Sequence, residues 1–141
     1  MAVGKSVAIL GSRGIPACYG GFETFAEELS LYLVRKGWNV TVYCQVEGCG
    51  KIRLETWENI RLVKIPVAVP GAVGTVIFDW LSVRLAVKDR APVLTLGYNT
   101  AIFSLLYRCK GIVNLINMDG LEWRRAKWNA LEKLWLLANE R

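Results

Sequence analysis

The sequence predicts an α/β fold, an open and mostly parallel Rossmann-like sheet with helices on both faces. Short apolar runs that are typical of buried strands alternate along the chain with segments of helical periodicity. A glycine-rich turn, GSRGIPACYGG at residues 11–21, joins the first apolar run to the first helical segment. In sheets of this kind, the turn after the first strand is a usual place for a ligand.

The overall composition indicates one globular domain with an anionic partner. The 141 residues are 53% hydrophobic, which is enough to form a core, and 18 lysines and arginines against 12 aspartates and glutamates give a charge of +6. There is no histidine, and the four cysteines lack CxxC spacing, so we expect no metal site and no histidine-based triad. We expect reduced thiols in a cytoplasmic protein without a signal peptide.

The first half of the chain predicts a βαβ unit followed by two further strands. The predicted elements are a strand at 7–10, a helix at 22–36, and strands at 40–44, 53–57 and 60–65. Gly37 is the expected residue after the helix, and Pro66 is expected to end the last of these strands.

The second half continues the alternation of strands and helices. Its predicted elements are a helix at 75–88 after a loop, a strand at 93–97, a short helix at 98–109, a strand at 112–117 and a final helix at 124–138. The carboxyl ends of parallel strands meet at one edge of a sheet. We therefore expect four segments to share that edge, namely 11–21, 44–47, 97–99 and 117–123.

The glycine-rich turn predicts a phosphate site. Gly20 and Gly21 come directly before the helical periodicity, where unpaired backbone N–H groups and the positive end of the helix dipole favour an anion. Arg13 either adds a charge-assisted phosphate contact or is a solvated loop residue. The turn can also be a tight connection without a ligand. Its spacing matches neither GxxxxGK[ST] nor GxGxxG, so a Walker-type ATPase is not predicted.

A second group of polar residues follows the strand at 112–117. Asp119 and Glu122 can accept hydrogen bonds from sugar hydroxyls or act as a base, and we assign the catalytic role to Asp119. Trp123 can stack on a sugar face. In the structural alternative, Glu122 interacts with a helix dipole and Trp123 belongs to the core. The candidates for sugar or acceptor contact on this edge are Tyr19, Asn99, Asn117, Glu122 and Trp123.

The predicted final helix is basic and aromatic. It can rest on anionic lipid headgroups, which would give peripheral contact with the inner face of the plasma membrane. Its tryptophans also fit one apolar stripe at helical spacing, which favours packing within the protein. No nucleic-acid-binding motif is present, so we expect no nucleic-acid partner.

Two segments, GSRGIPACYGGFETFAEELS at 11–30 and NMDGLEWRRAKWN at 117–129, resemble the rhamnosyltransferase-like members of bacterial glycosyltransferase family 4. The resemblance implies a GT-B fold, of which residues 1–141 match the amino-terminal, acceptor-side domain. It implies that Gly20 and Gly21 approach the diphosphate of the donor and that Asp119 stands where many relatives carry a sugar-contacting histidine. The donor pocket of the family belongs to a carboxyl-terminal domain that is absent here, so we expect weak donor binding and no turnover by this chain alone.

The leading functional hypothesis is therefore a retaining glycosyltransferase domain that needs no metal or cofactor. It would move a sugar such as rhamnose from a nucleotide sugar to a polyprenyl-linked or polysaccharide acceptor. One alternative is a stand-alone module that binds glycans or a partner chain. Another is a nicotinamide dinucleotide-binding domain with Glu47 on the ribose, which the missing GxGxxG disfavours.

Overall fold

The computed structural model describes residues 4–18, 20–97, 101–118, 130, 131 and 134. Its elements in chain order are β1 (Ser6–Leu10), α1 (Gly21–Arg35), β2 (Asn39–Glu47), β3 (Arg53–Trp57), β4 (Ile60–Val67), α2 (Gly71–Asp89), β5 (Val93–Leu96), a 3-10 turn (Ala101–Ser104), α3 (Leu105–Cys109) and β6 (Asn114–Asn117). Within this described part, none of the helices combines the length and the apolar character needed to cross a membrane.

The six strands form one sheet in the order β3-β4-β2-β1-β5-β6. All neighbouring strands are parallel except β3, which is antiparallel to β4. After β1, the chain forms β2, β3 and β4 on one side of β1. After α2, it forms β5 on the other side of β1. The strand order therefore reverses between β1 and β5, which is the switch point where ligands bind in open α/β sheets.

Two hydrophobic clusters lie on opposite faces of the sheet, because successive strand residues point to opposite faces. Ile9 and Val42 belong to the cluster that packs under α1, which also includes Ala26. Ala8 and Leu10 belong to the cluster that contains Phe78 of α2 and residues of α3. The predicted α/β sheet with helices on both faces is thus confirmed.

The helix α2 begins at Gly71 and not at residue 75, so the predicted loop was too long. Pro70 is the N-cap residue in extended conformation, which is compatible with its fixed φ. A β-carbon on Gly74 would lie 1.9 Å from the carbonyl oxygen of Val69. Gly74 therefore lies in the first turns of the helix, in close contact with the backbone of Val69, whereas the sequence predicted a loop at this position.

The strand β4 continues through Pro66, so the predicted stop at this proline was wrong. β2 and β4 pair as far as Glu47 with Val67, while β3 pairs with β4 only as far as Arg53 with Lys64. Pro66 lies beyond the end of β3, and proline is tolerated where one side of a strand lacks a neighbour. The strand β6 begins at Asn114 and not at 112, and most of the predicted final helix lies outside the described residues.

Gly11 should be among the least replaceable residues of the fold. It has a φ of 91°, and a β-carbon there would lie 2.2 Å from the carbonyl oxygen of Leu96. We expect Gly11→Ala to lower the free energy of unfolding by about 3 kcal/mol or more in urea titration, because the loop must leave the sheet. The matched control is Gly48→Ala, where φ is 105° but a β-carbon meets nothing within 4 Å. That variant should lose only about 1 kcal/mol, and equal losses would contradict this explanation.

Candidate functional site

The glycine-rich loop lies tightly against the carboxyl edge of the sheet. Gly11 follows β1 and packs on the backbone of Leu96 in β5. Gly14 has a φ of 116°, and a β-carbon there would lie 2.6 Å from the Cβ and Sγ atoms of Cys44 in β2. The N–H of Gln45 donates to the carbonyl oxygen of Arg13 at 2.9 Å. The loop thus closes over the ends of three neighbouring strands.

Two carboxylates of α1 hold the same loop from the other side. The backbone N–H of Arg13 donates to Oε1 of Glu23 at 3.0 Å, and the N–H of Ala17 donates to Oε2 of Glu27. Glu23 is buried, and its position in the first turn of α1 also suits the helix dipole. These two acidic residues therefore hold the conformation of the loop through its backbone N–H groups.

The start of α1 is open to solvent at Gly21. Gly20 is the N-cap residue in extended conformation, and its carbonyl oxygen accepts the N–H of Thr24 at 3.1 Å. No side chain caps this helix start, and a β-carbon on Gly21 would meet nothing within 4 Å. The first N–H groups of a helix have no partner within the helix. The positive end of α1 is therefore accessible where the sequence predicted a phosphate.

Gly20 and Gly21 share a cleft of about 410 Å³ with Asn117, the last residue of β6. Phe22 and Phe25 form apolar parts of the same cleft, and Glu23 contributes a carboxylate to it. The structure therefore brings the glycine pair and the start of the segment 117–123 to one edge, as the parallel topology required. The predictions for Tyr19, Asn99, Asp119, Glu122 and Trp123 lie outside the described residues.

Arg13 lies in a different cleft. It lines a space of about 520 Å³ at the ends of β2 and β4, together with Gln45, Glu47 and Thr75. Among the described residues, this cleft and the cleft at Gly21 have no lining residue in common. The structure thus does not bring Arg13 together with the glycine pair, and a role of Arg13 in phosphate binding stays a prediction.

Sequence reasoning missed a group of polar side chains between β1 and β5. A cavity of about 110 Å³ at the switch point is lined by Thr75 and Asp79 of α2, Thr95 of β5 and Ser104 of the 3-10 turn. The available signal was Asp79, a carboxylate inside an otherwise apolar helical run. That signal alone does not place Asp79 in a cavity, because one sequence does not reveal that α2 packs beside β1.

The buried thiol of Cys44 packs against the loop and is not in a reactive environment. Burial raises its pKa, and the carbonyl oxygen of Ile15 lies 3.9 Å from its sulfur as a weak acceptor. A thiol in such surroundings is inert, since the thiolate is the reactive form. In the described part of the chain, no three histidine, cysteine, aspartate or glutamate side chains are grouped so that they could hold a metal ion.

Comparison with known proteins identifies one family. Residues 4–141 match a family described as "Domain of unknown function (DUF1972)". No curated protein matched the chain.

The bond from Arg13 to Glu23 should measurably stabilise the loop. We expect Glu23→Leu to lower the free energy of unfolding by about 1–3 kcal/mol, because it leaves the N–H of Arg13 without its acceptor. Hydrogen exchange at Arg13 should accelerate in the same variant. Glu23→Gln keeps an acceptor oxygen and should lose less. Glu28→Leu replaces an exposed carboxylate on the same helix and is the control. Unchanged exchange at Arg13 in Glu23→Leu would show that the loop does not depend on this bond.

Proposed function

We propose that this chain, which belongs to the DUF1972 family, is the acceptor-side domain of a retaining glycosyltransferase. It would take part in moving a sugar from a nucleotide-sugar donor to a lipid-linked or polysaccharide acceptor. The domain that defines this family is found in glycosyltransferase-associated proteins, which supports this class of activity. The likeness of residues 11–30 and 117–129 to family 4 enzymes supports it further.

The observation that carries the proposal is the uncapped start of α1 at Gly21. A diphosphate needs hydrogen-bond donors and positive potential at a place without steric obstruction. The N–H groups of the first turn would supply the donors, and the helix dipole would supply positive potential against the charge of Glu23, which lines the same cleft. Because a β-carbon on Gly21 would meet nothing within 4 Å, there is room for the phosphate oxygens.

The proposed chemistry is mainly electrostatic. In sugar transfer, the bond from the anomeric carbon to the diphosphate oxygen breaks while the acceptor oxygen bonds to that carbon, and the acceptor hydroxyl gives its proton to the leaving diphosphate. Negative charge grows on the leaving diphosphate as its bond breaks, so N–H groups aimed at it stabilise the transition state more than the ground state. Gly20 and Gly21 are the residues to which we assign this role, and the predicted sugar contacts are Asn117 and the segment that follows it.

A second domain would supply the rest of the donor site. Among the described residues, six line the cleft at Gly21, namely Gly20, Gly21, Phe22, Glu23, Phe25 and Asn117, so a nucleotide sugar would make few contacts there. Association costs translational and rotational freedom whatever the number of contacts. We therefore propose that the chain alone binds the diphosphate weakly and does not turn over.

The variant Gly21→Asp tests the phosphate site directly. Its carboxylate would occupy the anion position at the helix start and should weaken binding of UDP and dTDP at least about tenfold, measured by ³¹P NMR titration. The matched control is Gly21→Ala, which adds a β-carbon without charge and should bind within about twofold of the wild type. A thermal melt of each variant verifies the fold. If both variants bind like the wild type, the start of α1 is not the diphosphate site.

Activity should depend on joining the two halves. We expect the chain fused to the donor-binding domain of a family 4 enzyme to release nucleotide diphosphate from a nucleotide sugar, whereas the chain alone does not. Gly21→Asp should lower this rate by about tenfold or more, because its carboxylate would repel the charge that grows on the leaving diphosphate. Including NAD as a ligand tests the dinucleotide alternative, and saturable NAD binding without nucleotide-sugar binding would contradict the proposed function.

A further inference from the structure

The helix α2 is apolar on part of its exposed face as well as on its buried face. Phe78 and Ala86 are buried on the side that packs on the sheet. On the other side, Val73, Ile77 and Trp80 are 61%, 37% and 40% exposed, and they recur at the spacing of one helix face. A helix on the surface of a globular domain usually has polar residues on its outer face. This stretch is therefore an exposed apolar surface of the kind that marks a contact site.

The apolar surface extends from α2 towards the start of α3. The ring of Trp80 packs on the ring of Phe103 in the 3-10 turn, with 5.2 Å between the ring centroids. Leu105 follows two residues later and is also exposed. Both α2 and α3 return from the carboxyl edge of the sheet to the start of the next parallel strand, and the two helices are in contact. We call the surface formed by Val73, Ile77, Trp80 and Leu105 the apolar patch.

Basic residues follow the apolar patch on both helices. Arg84 and Lys88 lie one and two turns after Trp80 on the same face of α2, and both are exposed. Arg108 lies one turn after Leu105 on α3 and is exposed as well. The helix dipole favours cations in the last turn, which includes Lys88 and Arg108 but not Arg84. The outer surface therefore has an apolar part and an adjoining basic part.

The carboxylates of this region do not cancel the basic part. α3 contains no acidic residue, and α2 contains Asp79 and Asp89. Asp79 is half-buried and lines the cavity between β1 and β5. Asp89 lies 3.4 Å from Arg61 of β4 and accepts the hydroxyl hydrogen of Tyr43 of β2. The side chain of Asp89 thus faces the sheet, and the outer surface is positively charged.

Anionic lipid is the partner whose chemistry matches both parts of this surface. Exposed aliphatic and tryptophan side chains enter the boundary between lipid headgroups and acyl chains, while arginine and lysine bind anionic headgroups. A nucleic acid would match the basic part alone, because the aliphatic side chains of Val73 and Ile77 cannot stack on bases as aromatic rings do. A second copy of the chain would bring the same positive charges to the interface.

We propose that the apolar patch, with Arg84, Lys88 and Arg108 beside it, docks on the surface of an anionic bilayer, with α2 lying on the membrane. This surface differs from the basic helix predicted at 124–138. The binding of lipid does not depend on the proposed function, whereas its use rests on that function. Because α2 starts at the carboxyl edge of the sheet, docking would hold that edge close to a lipid-linked acceptor.

The test is co-sedimentation of the whole chain with vesicles of phosphatidylglycerol and phosphatidylcholine in equal amounts, and with vesicles of phosphatidylcholine alone. We expect the anionic vesicles to be bound at least about tenfold more tightly than the neutral ones, because several cations contribute. Binding should weaken as salt is raised, since the contacts are exposed and screened. Absence of binding to the anionic vesicles at low salt, or equal binding to both kinds, would overturn the proposal.

Two double variants assign the binding to this surface. Val73→Gln with Ile77→Gln should weaken vesicle binding about tenfold, because less apolar surface leaves water. Arg84→Gln with Lys88→Gln should weaken it by about tenfold or more, at about fivefold for each cation. All four positions are exposed, so thermal melts should stay close to that of the wild type. Wild-type affinity in both folded double variants would overturn the assignment.

The matched controls lie on α1, on the opposite face of the sheet. Arg35→Gln with Lys36→Gln removes two exposed cations at the end of that helix, and Tyr32→Gln removes an exposed aromatic ring. Both controls should bind the anionic vesicles within about twofold of the wild type. If the controls weaken binding as much as the variants of α2 do, the binding depends on overall composition and the assignment is wrong.

Paramagnetic broadening in NMR spectra locates the docked surface. With bicelles of the same two lipids and a gadolinium-chelating lipid, we expect the amide signals of Val73, Ile77 and Trp80 to broaden before those of α1. Broadening confined to residues 124–138 would place the contact on the predicted final helix and overturn the proposal. A dimer that forms without lipid binding, and that Val73→Gln with Ile77→Gln abolishes, would assign the patch to a second copy and overturn it as well.

The docking surface and the diphosphate site fail in distinguishable ways. Gly21→Asp should leave vesicle binding within about twofold of the wild type, and Val73→Gln with Ile77→Gln should leave UDP binding unchanged. Vesicle binding without UDP binding would support the docking surface and contradict the diphosphate site. UDP binding without vesicle binding would support the diphosphate site and overturn the docking surface.

Discussion

The close approach of the glycine-rich loop to the sheet is the constraint on which the rest of the structure depends. Gly11 and Gly14 both have positive φ, and both lie where a β-carbon would collide with a neighbouring strand. Because both glycines are in close contact with neighbouring strands, the loop runs across the ends of β1 and β2 before α1 begins. The position of Gly21, the accessible helix start and the clefts on either side all follow from this path.

The acidic residues at the start of α1 act mainly through hydrogen bonds. A carboxylate near a helix N-terminus gains about 0.3–1 kcal/mol from the dipole, whereas a hydrogen bond to a charged group contributes about 1.5–3 kcal/mol. The bond from Arg13 to Glu23 is therefore the larger contribution of this buried side chain. Glu23 and Glu27 both accept N–H groups of the loop, and Glu23 also lines the cleft at Gly21.

The sequence was sufficient for the fold because local and global signals agree. Strand periodicity, helical spacing and Gly37 after α1 each predicted the observed element, and β3 has the predicted bounds at Arg53–Trp57. The failures arose where tertiary contacts outweigh local preference. Gly74 is accommodated in α2 because a residue without a β-carbon can pack on the backbone of Val69. Pro66 is accommodated in β4 because β3 has already ended on that side. Asp79 was missed for the same reason, since only the packing of α2 beside β1 places it in a cavity.

Three spaces along the carboxyl edge of the sheet share lining residues. Phe22 lines both the cleft at Gly21 and the cavity between β1 and β5, and Thr75 lines both that cavity and the cleft at Arg13 and Glu47. Gly97 has positive φ, and a β-carbon there would lie 3.6 Å from the ring of Phe22, so the ring is seated directly on the end of β5. The cleft at Gly21 and the cleft at Arg13 each contain a carboxylate, Glu23 in the first and Glu47 in the second. A diphosphate in either cleft would therefore need enough N–H or guanidinium donors to offset that charge.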